Sequence, residues 1–364
     1  MEISQIDYVH QSGLNPPVYL IIYYFAADLG GSPKWLGIPS QLIYLYLRKK
    51  GIRCNAMAVS SPKMIGENIR KENPTHVVIM APWIQPALIR YWCREWTETQ
   101  FAIVCHSNLA FLGADPGAAR LMLQYAELSR EIHNFNLAAN AAVTSGWAGI
   151  VHNAKVITLP NLYWIDEHTW RTRQPYNGGP IEIGMFGAGR ILKNFATGAG
   201  AVLVLQRQMG VTINLHTNVG INPHSPGEVQ MPYEMIQSDP HVNWIDEGWL
   251  PWPAFTRMLG RMHVLIQPTV SESFNVVTAD GIAQGVSSAV GPAITWVPEY
   301  WKANTEDPTA FAFVMRHLLA DPHAAHDGKN ALMRYSSEGY LLWKEWLLTG
   351  ATAMPRAWDQ PTRL

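Results

Sequence analysis

The feature that most constrains the fold is the alternation of short apolar runs with helix-like stretches along the chain. Continuous apolar runs of this length are typical of strands that are buried on both faces of a parallel sheet. Strands that alternate with helices favour parallel sheets with right-handed crossovers, so the pattern predicts an α/β fold. The strand-like runs cover residues 18–25, 54–59, 76–80, 101–105, 142–145, 156–159, 181–186, 212–216, 242–245 and 263–266.

The length and composition indicate two domains of this class. The chain has 364 residues, and its apolar share of 48% is sufficient for packed cores. Residues 172–180 are rich in turn-forming residues and separate two series of strands. We therefore predict Rossmann-like domains at residues 1–175 and 176–338, followed by a C-terminal helix or tail at residues 339–364.

Charge and cysteine content indicate which partners and which cellular compartment to expect. The net charge is −1, so no overall field attracts nucleic acid or an anionic membrane, although residues 1–94 carry more basic than acidic side chains. The chain has 3 cysteines and no CxxC, which argues against a disulfide framework or a zinc site. No apolar run is long enough to span a bilayer, and the N-terminus has no signal-peptide pattern, so we expect a cytoplasmic protein.

The most informative stretch is residues 267–296, which predicts a strand, a loop, a helix and a short strand. Glu272 lies just before the helix, Ser273 and Asn275 are plausible N-caps, and Asp280 lies inside the helix. A helix N-terminus binds anions, while carboxylates beside it accept hydrogen bonds from sugar hydroxyls. This combination suits a nucleotide-sugar. The alternative is an ordinary loop and helix with incidental acids.

A second informative stretch follows the predicted strand at residues 181–186. Gly187 leads into a basic turn that contains Arg190 and Lys193, and a helix is predicted from residue 194. Cations are unfavourable against the positive end of a helix dipole, so a bound anion explains them better than a solvent-facing turn does. Arginine binds phosphate oxygens in a bidentate manner, and lysine acts as a mobile point charge.

These residues resemble the E-x7-E element of retaining glycosyltransferases of family four, which have the GT-B fold. Asn275 replaces the usual glycine, Asp280 replaces the second glutamate, and Ser287 replaces a common proline. The matching residues are Glu272, Ser273, Phe274, Val277, Ala283 and Gly285. Further similar segments occur in the family's order over residues 18–300, at Gly30-Gly31, His106, Pro160-Asn161, Gly187 to Lys193 and Gly248-Trp249-Leu250.

The resemblance implies two Rossmann-like domains that face each other across a cleft, with the acceptor domain first and the donor domain second. It implies that the chain end crosses back to the first domain. It also implies a retaining reaction that uses a nucleotide-sugar, most simply a UDP-sugar, as co-substrate, with no other cofactor and no metal. The implied catalytic residues are His106, Glu272, Arg190 and Lys193. The implied donor-binding residues are Gly30, Gly31, Gly187, Arg190, Lys193, Glu272, Ser273, Phe274, Asn275, Val276 and Asp280.

The resemblance assigns each of these groups a role. Arg190 and Lys193 hold the pyrophosphate, with help from backbone N–H groups around Asn275 and Val276. Glu272 accepts hydrogen bonds from the sugar and Asp280 accepts from the ribose. His106 lies near the transferred sugar.

The acceptor stays open at this level. Residues 105–164 resemble glycosyltransferases of tailed phages, which makes a hydroxymethylated pyrimidine in DNA an attractive acceptor, modified in the host cytoplasm. Trp83 and Trp92 would then brace a flipped base. The residues that would track phosphates are Arg48, Lys49, Lys50, Arg53, Lys63, Arg70, Lys71, Arg90 and Arg94. A small-molecule or glycan acceptor is the alternative, and a GT-B-shaped binding protein without catalysis is a third. The sequence does not indicate an oligomeric state.

Overall fold

The computed structural model describes residues 18–25, 33–80, 83–141, 156–173, 176–220 and 227–349. Within them the strands are β1 Tyr19–Phe25, β2 Arg53–Val59, β3 His76–Ile79, β4 Gln100–Cys105, β5 Phe135–Ala139, β6 Val156–Thr158, β7 Ile181–Gly184, β8 Ile213–Thr217, β9 Val242–Asp246, β10 Val264–Gln267 and β11 Ser288–Val290. The helices are α1 Pro33–Lys49, α2 Pro62–Glu72, α3 Pro86–Glu95, α4 Leu109–Ala114, α5 Pro116–Glu131, α6 Phe195–Met209, α7 Gly227–Gln237, α8 Trp252–Leu259, α9 Val276–Ala283, α10 Pro308–Ala320 and α11 Ala324–Thr349.

The chain forms two compact α/β domains. The second domain is Ile165–Tyr335, and the first comprises the described residues up to Trp164 together with those from Ser336 onward. The sequence predicts the domain limits at residues 175/176 and 338/339. The second limit falls inside α11.

The first domain is built on a six-stranded sheet in the order β2-β1-β3-β4-β5-β6. All of its strand pairs are parallel. Apolar residues of these strands point to both faces, and each face packs against helices to form a core. One core contains Trp92 of α3, and the other contains Trp343 and Trp346 of α11. Burial on both faces explains why these strands appear in the sequence as continuous apolar runs.

The second domain is built on a five-stranded sheet in the order β11-β10-β7-β8-β9, again with parallel pairs. From β7 the next strands, β8 and β9, are added on one side, whereas β10 and β11 are added on the other side of β7. The strand order therefore reverses between β7 and β10. In open parallel sheets, ligands bind beyond the carboxyl ends of the strands at such a reversal. The loops that follow β7 and β10 are therefore the first place to look for a site.

Residues 165–173 belong to the second domain because their backbone and side chains bond to it. The indole N–H of Trp170 donates to the carbonyl of Ile282 at 2.7 Å, and the N–H of Arg173 donates to the carbonyl of Gly285 at 3.1 Å. Gly285 has a φ of 76°, and a Cβ there would lie 2.1 Å from the carbonyl oxygen of Arg171. Only glycine fits this close approach, which also ends α9.

The structure corrects some sequence-based expectations. Trp92 is buried in the first core with 3% exposure, so it cannot brace a flipped base. Strand β5 was not predicted, because Asn136 interrupts its apolar run, and this asparagine is itself buried.

Trp343 connects α11 to the first domain, so its removal tests that packing. Its side chain is fully buried, and its indole N–H donates to the carbonyl of Pro160 at 2.8 Å. We expect Trp343→Ala to lower the free energy of unfolding by about 3–5 kcal/mol, because a large cavity forms. Leu341→Ala on the same helix, 62% exposed, should change it by less than about 0.5 kcal/mol. Urea denaturation of both variants checks this, and equal effects would contradict the packing described.

Candidate functional site

The candidate site lies at the carboxyl edge of the second sheet, where the loops after β7 and β10 are neighbours. Strands β7 and β10 pair in parallel, so both chains leave the sheet at the same edge. The loop after β7 carries Gly187, Arg190 and Lys193, and the loop after β10 carries Glu272 to Asn275. The sequence-predicted donor residues of this domain are therefore brought to one edge.

Gly187 makes the turn that starts the basic loop. Its φ is 138°, a backbone conformation that favours glycine. Its N–H donates to the Asn218 side-chain oxygen at 2.9 Å, which ties the turn to the end of β8. A Cβ at this position would lie 3.8 Å from Cε of Lys193, so the lysine side chain passes directly over the glycine. The glycine thus gives Lys193 a flat backbone surface to cross.

A short 3-10 helix, Ile191–Lys193, fixes the basic turn. The N–H of Lys193 donates to the carbonyl of Arg190 at 2.8 Å, and Arg190 itself is exposed. The loop after β10 bonds to this turn at the carbonyl of Leu192. That carbonyl accepts from the N–H of Val270 and from the hydroxyl of Thr269, each at 3.0 Å. The two loops are therefore held together by backbone as well as by side chains.

An ion pair between Lys193 and Glu272 joins the tips of the two loops. Nζ of Lys193 lies 2.5 Å from Oε2 of Glu272. The side chains are 18% and 13% exposed, so water screens the pair less than it screens a surface pair. A cation and a carboxylate are thus placed side by side at the edge where a ligand would bind. This pair can offer the cation to a phosphate and the carboxylate to a hydroxyl.

Aromatic packing holds the loop that carries Glu272. Phe274 is buried and stacks on Trp296 and Tyr335, with ring centroids 5.4 Å apart in each case. The indole N–H of Trp296 donates to the carbonyl of Phe274 at 2.6 Å. Ser273 bonds through its N–H to Oε1 of Glu272 at 3.2 Å. Phe274 is therefore an anchor of the loop that carries Glu272.

Asn275 is the N-cap of α9, as the sequence suggested for it or Ser273. Its side-chain oxygen accepts from the N–H of Thr278, and its φ of 64° is in the left-handed region. Val276 begins the helix and is half-buried. The first-turn N–H groups of a helix point toward its N-terminus, so α9 directs its positive end toward the loop that contains Glu272.

Asp280 lies deeper than the other acids of the site. Its carboxylate is 1% exposed, and both oxygens accept from the indole N–H of Trp252, at 3.2 and 3.1 Å. Trp252 begins α8, after the Gly248-Trp249-Leu250 segment that follows β9. The side chain of Asp280 therefore stabilises the packing of α8 on α9, and a role for it toward a ribose stays a prediction.

His106 occupies the corresponding edge of the first domain. It follows β4, and Asn140 follows the neighbouring strand β5. Nδ2 of Asn140 lies 3.1 Å from Nδ1 of His106. An amide NH2 group only donates, so Nδ1 accepts and the ring hydrogen is on Nε2. Burial lowers the pKa of His106 to about 4, so the ring is neutral at pH 7. Gly30 and Gly31 lie outside the described residues.

Neither a metal cluster nor a membrane span is found in the described part of the chain. Within those residues, no group of three His, Cys, Asp or Glu side chains is arranged to hold a metal ion. No helix among them combines the length and apolar character needed to cross a bilayer. The cysteines Cys54, Cys93 and Cys105 are buried thiols.

Comparison with solved structures identifies the fold. The chain matches a UDP-forming trehalose-phosphate synthase from Burkholderia xenovorans at a TM-score of 0.61 and 9% identity, covering 92% of this chain and 99% of that one. It matches Anabaena HepE, solved with UDP-glucose, at 0.56 and 10%, covering 90% and 96%. It matches Staphylococcus aureus TarM, solved with UDP, at 0.52 and 10%, covering 75% of this chain and 55% of TarM. The two domains have the fold of GT-B glycosyltransferases.

Comparisons of the sequence with protein families and with curated proteins found no match. The chain spans about half the length of TarM but nearly all of the other two proteins. At such low identities these similarities establish the architecture of the domains.

Several residues that support the site were not identified from the sequence. Asn140, Asn218, Gln267 and Trp252 lie at a strand end or a helix start, whereas Trp296 lies in a turn after β11, and the partners of all five lie far away along the chain. Asn140 and Asn218 each follow a predicted or missed strand directly, and this position was the one available signal. The others, Gln267, Trp252 and Trp296, were recognisable only from their tertiary contacts.

Proposed function

We propose that the protein is a retaining glycosyltransferase that moves a sugar from a UDP-sugar to an acceptor hydroxyl. The observation that carries the proposal is the pair formed by Lys193 and Glu272, on neighbouring loops at the carboxyl edge of the second sheet. A nucleotide-sugar presents a diphosphate and a hydroxylated ring next to each other. The site offers a cation for the diphosphate and, beside it, a carboxylate for the hydroxyl groups of the ring.

The basic loop would bind the diphosphate. Lys193 crosses Gly187, where the absence of a side chain leaves room for the lysine to lie close to the backbone. Arg190 is exposed on the same turn and can reach toward solvent for phosphate oxygens. As the glycosidic bond breaks, the leaving diphosphate gains negative charge. Fixed cations and the N-terminal end of α9 would stabilise that charge without reorganising.

The acidic loop would bind the sugar. Glu272 accepts hydrogen bonds, and its loop is held rigidly by Phe274 and its aromatic neighbours. In a reaction with retention, the leaving phosphate takes the acceptor proton on the face where the new bond forms. His106 stays a predicted catalytic residue, and its imidazole is neutral at pH 7. Asp280 would accept a hydrogen bond from the ribose only if Trp252 shared the carboxylate with the ribose or released it.

The structural comparisons support a UDP-sugar as donor. The Burkholderia enzyme is UDP-forming, and the HepE and TarM structures contain UDP-glucose and UDP. These are properties of those proteins, and they make UDP-glucose the first donor to test here. A GT-B-shaped binding protein without catalysis is the alternative, since Asn275 and Asp280 differ from the usual family residues.

Turnover of nucleotide-sugars tests the proposal. We expect the protein to release the nucleoside diphosphate slowly from UDP-glucose, or from another member of a panel of UDP-, GDP- and ADP-sugars. Lys193→Met removes a cation that stabilises the leaving group, so it should lower turnover by about 100-fold. Glu272→Ala should lower it by a similar factor because the sugar loses its acceptor. Release of the nucleoside diphosphate is measured with a coupled assay.

Matched controls separate site effects from general charge effects. Arg207 is an exposed cation in the last turn of α6, and Glu234 is an exposed acid on α7. Arg207→Met and Glu234→Gln should leave turnover unchanged. Absence of turnover with every donor in the panel, with or without acceptors, would contradict the enzyme proposal. Nucleotide binding without turnover would instead favour the binding protein.

For the acceptor, we propose a small molecule or glycan in preference to DNA. Helices that follow parallel strands return to the amino edge of the sheet, so their last turns lie opposite the ligand edge. Arg48, Lys49, Arg70, Lys71 and Arg94 are all in last turns of α1, α2 and α3. A strand of ordinary length separates the two edges by roughly 17–20 Å.

Some of the basic residues proposed to track DNA phosphates also have partners within the first domain. They are therefore less suited to binding phosphates along a DNA strand. Arg70 pairs with Glu95 at 2.8 Å, and Arg90 pairs with Glu131 at 2.5 Å. The guanidinium of Arg53 lies 4.2 Å from the ring centroid of Tyr19. Trp83 is 39% exposed and remains available to a ligand, but a single aromatic residue does not distinguish a base from a sugar.

A mass-shift assay decides between these acceptors. The protein and its active donor are incubated with DNA containing hydroxymethylcytosine and with unmodified DNA. We expect neither DNA to gain the mass of a sugar, whereas sugars and other small hydroxyl compounds should accept it. A salt-sensitive mass gain confined to the hydroxymethylated DNA would contradict this proposal and identify DNA as the acceptor.

A further inference from the structure

We propose that Asn275 is a positioning residue that holds Glu272 ready to accept hydrogen bonds from the donor sugar. The inference rests on the proposed function and concerns one of the positions at which this chain differs from the family pattern. Asn275 keeps the left-handed backbone that glycine usually supplies, with φ 64° and ψ 84°. Asparagine is among the residues that tolerate this region best. The replacement therefore preserves the turn and adds an amide.

The orientation of that amide is fixed by its surroundings. The side-chain oxygen of Asn275 accepts from the N–H of Thr278 at 2.8 Å. Its Nδ2 must therefore lie on the other side, where it donates to Oε1 of Gln267 at 3.1 Å and to Oε2 of Glu272 at 3.2 Å. Asn275 is 4% exposed. Both amide hydrogens thus have acceptors, and rotation of the side chain would break these hydrogen bonds.

Gln267 fixes the arrangement from the other end. Its Nε2 donates to the carbonyl of Phe186 at 3.0 Å, so its oxygen must face Asn275. Gln267 is 2% exposed at the end of β10, and Phe186 directly precedes Gly187 in the basic loop. The chain of hydrogen bonds therefore begins beside the diphosphate loop and ends on Glu272. Reversing either amide would place two oxygens or two N–H groups together.

This arrangement gives Glu272 a partner that does not depend on Lys193. Both Lys193 and Asn275 donate to Oε2 of Glu272. When Lys193 binds a diphosphate, the amide of Asn275 would still hold the carboxylate in place. The Asn275 amide would therefore matter for the sugar part of the donor and little for the nucleotide part. A residue that only stabilised the fold would affect both parts equally.

Binding of UDP and of UDP-glucose to Asn275→Gly tests this separation. Glycine retains the backbone conformation and loses the side-chain amide, with its N-cap bond to Thr278 and its bonds to Gln267 and Glu272. We expect UDP-glucose to bind about tenfold more weakly, the loss of roughly one hydrogen bond to a charged group, while UDP binds within about twofold of wild type. Isothermal titration calorimetry measures both ligands. Asn73→Gly provides the control, because Asn73 is also left-handed, with φ 45°, and lies after α2 in the first domain.

Asn275→Asp adds a test with a pH signature. A carboxylate there still accepts from Thr278 but repels Glu272 and Gln267, so UDP-glucose should bind at least tenfold more weakly at pH 7.5. Protonation of the introduced carboxyl restores one donor. Because Glu272 is a neighbouring negative charge, that pKa should be raised. The ratio of variant to wild-type affinity should therefore recover as the pH is lowered to 5.5, and thermal melts confirm that each variant is folded.

The possible results separate the two proposals. Equal weakening of UDP and UDP-glucose by Asn275→Gly, or no weakening of either, would overturn the role of Asn275 and leave the proposed function intact. A pH-independent affinity ratio for Asn275→Asp would overturn it as well. If wild-type protein binds neither UDP, UDP-glucose nor another nucleotide-sugar, the proposed function itself is wrong, and the role of Asn275 is overturned with it.

Discussion

The ion pair between Lys193 and Glu272 is the interaction on which the account of this protein depends. It exists because β7 and β10 are parallel neighbours, so that loops from distant parts of the chain leave the sheet side by side. Gly187 lets the lysine cross the backbone, and Phe274 anchors the opposite loop. The pair is only slightly exposed, which strengthens its attraction and makes its position specific.

The sequence was sufficient to predict the fold class and most strands, because strands buried on both faces leave a simple apolar signal. It also placed Gly187, Lys193, Glu272 and Asn275 on loops next to helices, because glycine and N-cap residues mark such boundaries. Strand β5 was missed because a polar residue, Asn136, is buried within it. Local patterns cannot show that such a residue is enclosed by the neighbouring helices and strands.

Tertiary partners were the second limit of sequence-based prediction. The sequence identified Asp280 as an acid in the right helix, but its contact with Trp252 depends on how α8 packs on α9. Likewise, the basic residues of the first domain form one group in the sequence, while the structure pairs Arg70 and Arg90 with acids. The sequence shows where charged residues are along the chain. The fold determines which of them are paired within the protein and which are available to a partner.

The most direct test of the donor site is the affinity of Glu272→Gln for UDP and for UDP-glucose. Without the carboxylate, Lys193 is free for the diphosphate and no negative charge opposes it, so UDP should bind about fivefold more tightly. The sugar meanwhile loses a charged acceptor, so UDP-glucose should bind more weakly than to wild type. Opposite changes for the two ligands are what the account predicts. Changes in the same direction, or no change for either, would contradict a site in which Lys193 binds phosphate and Glu272 binds sugar.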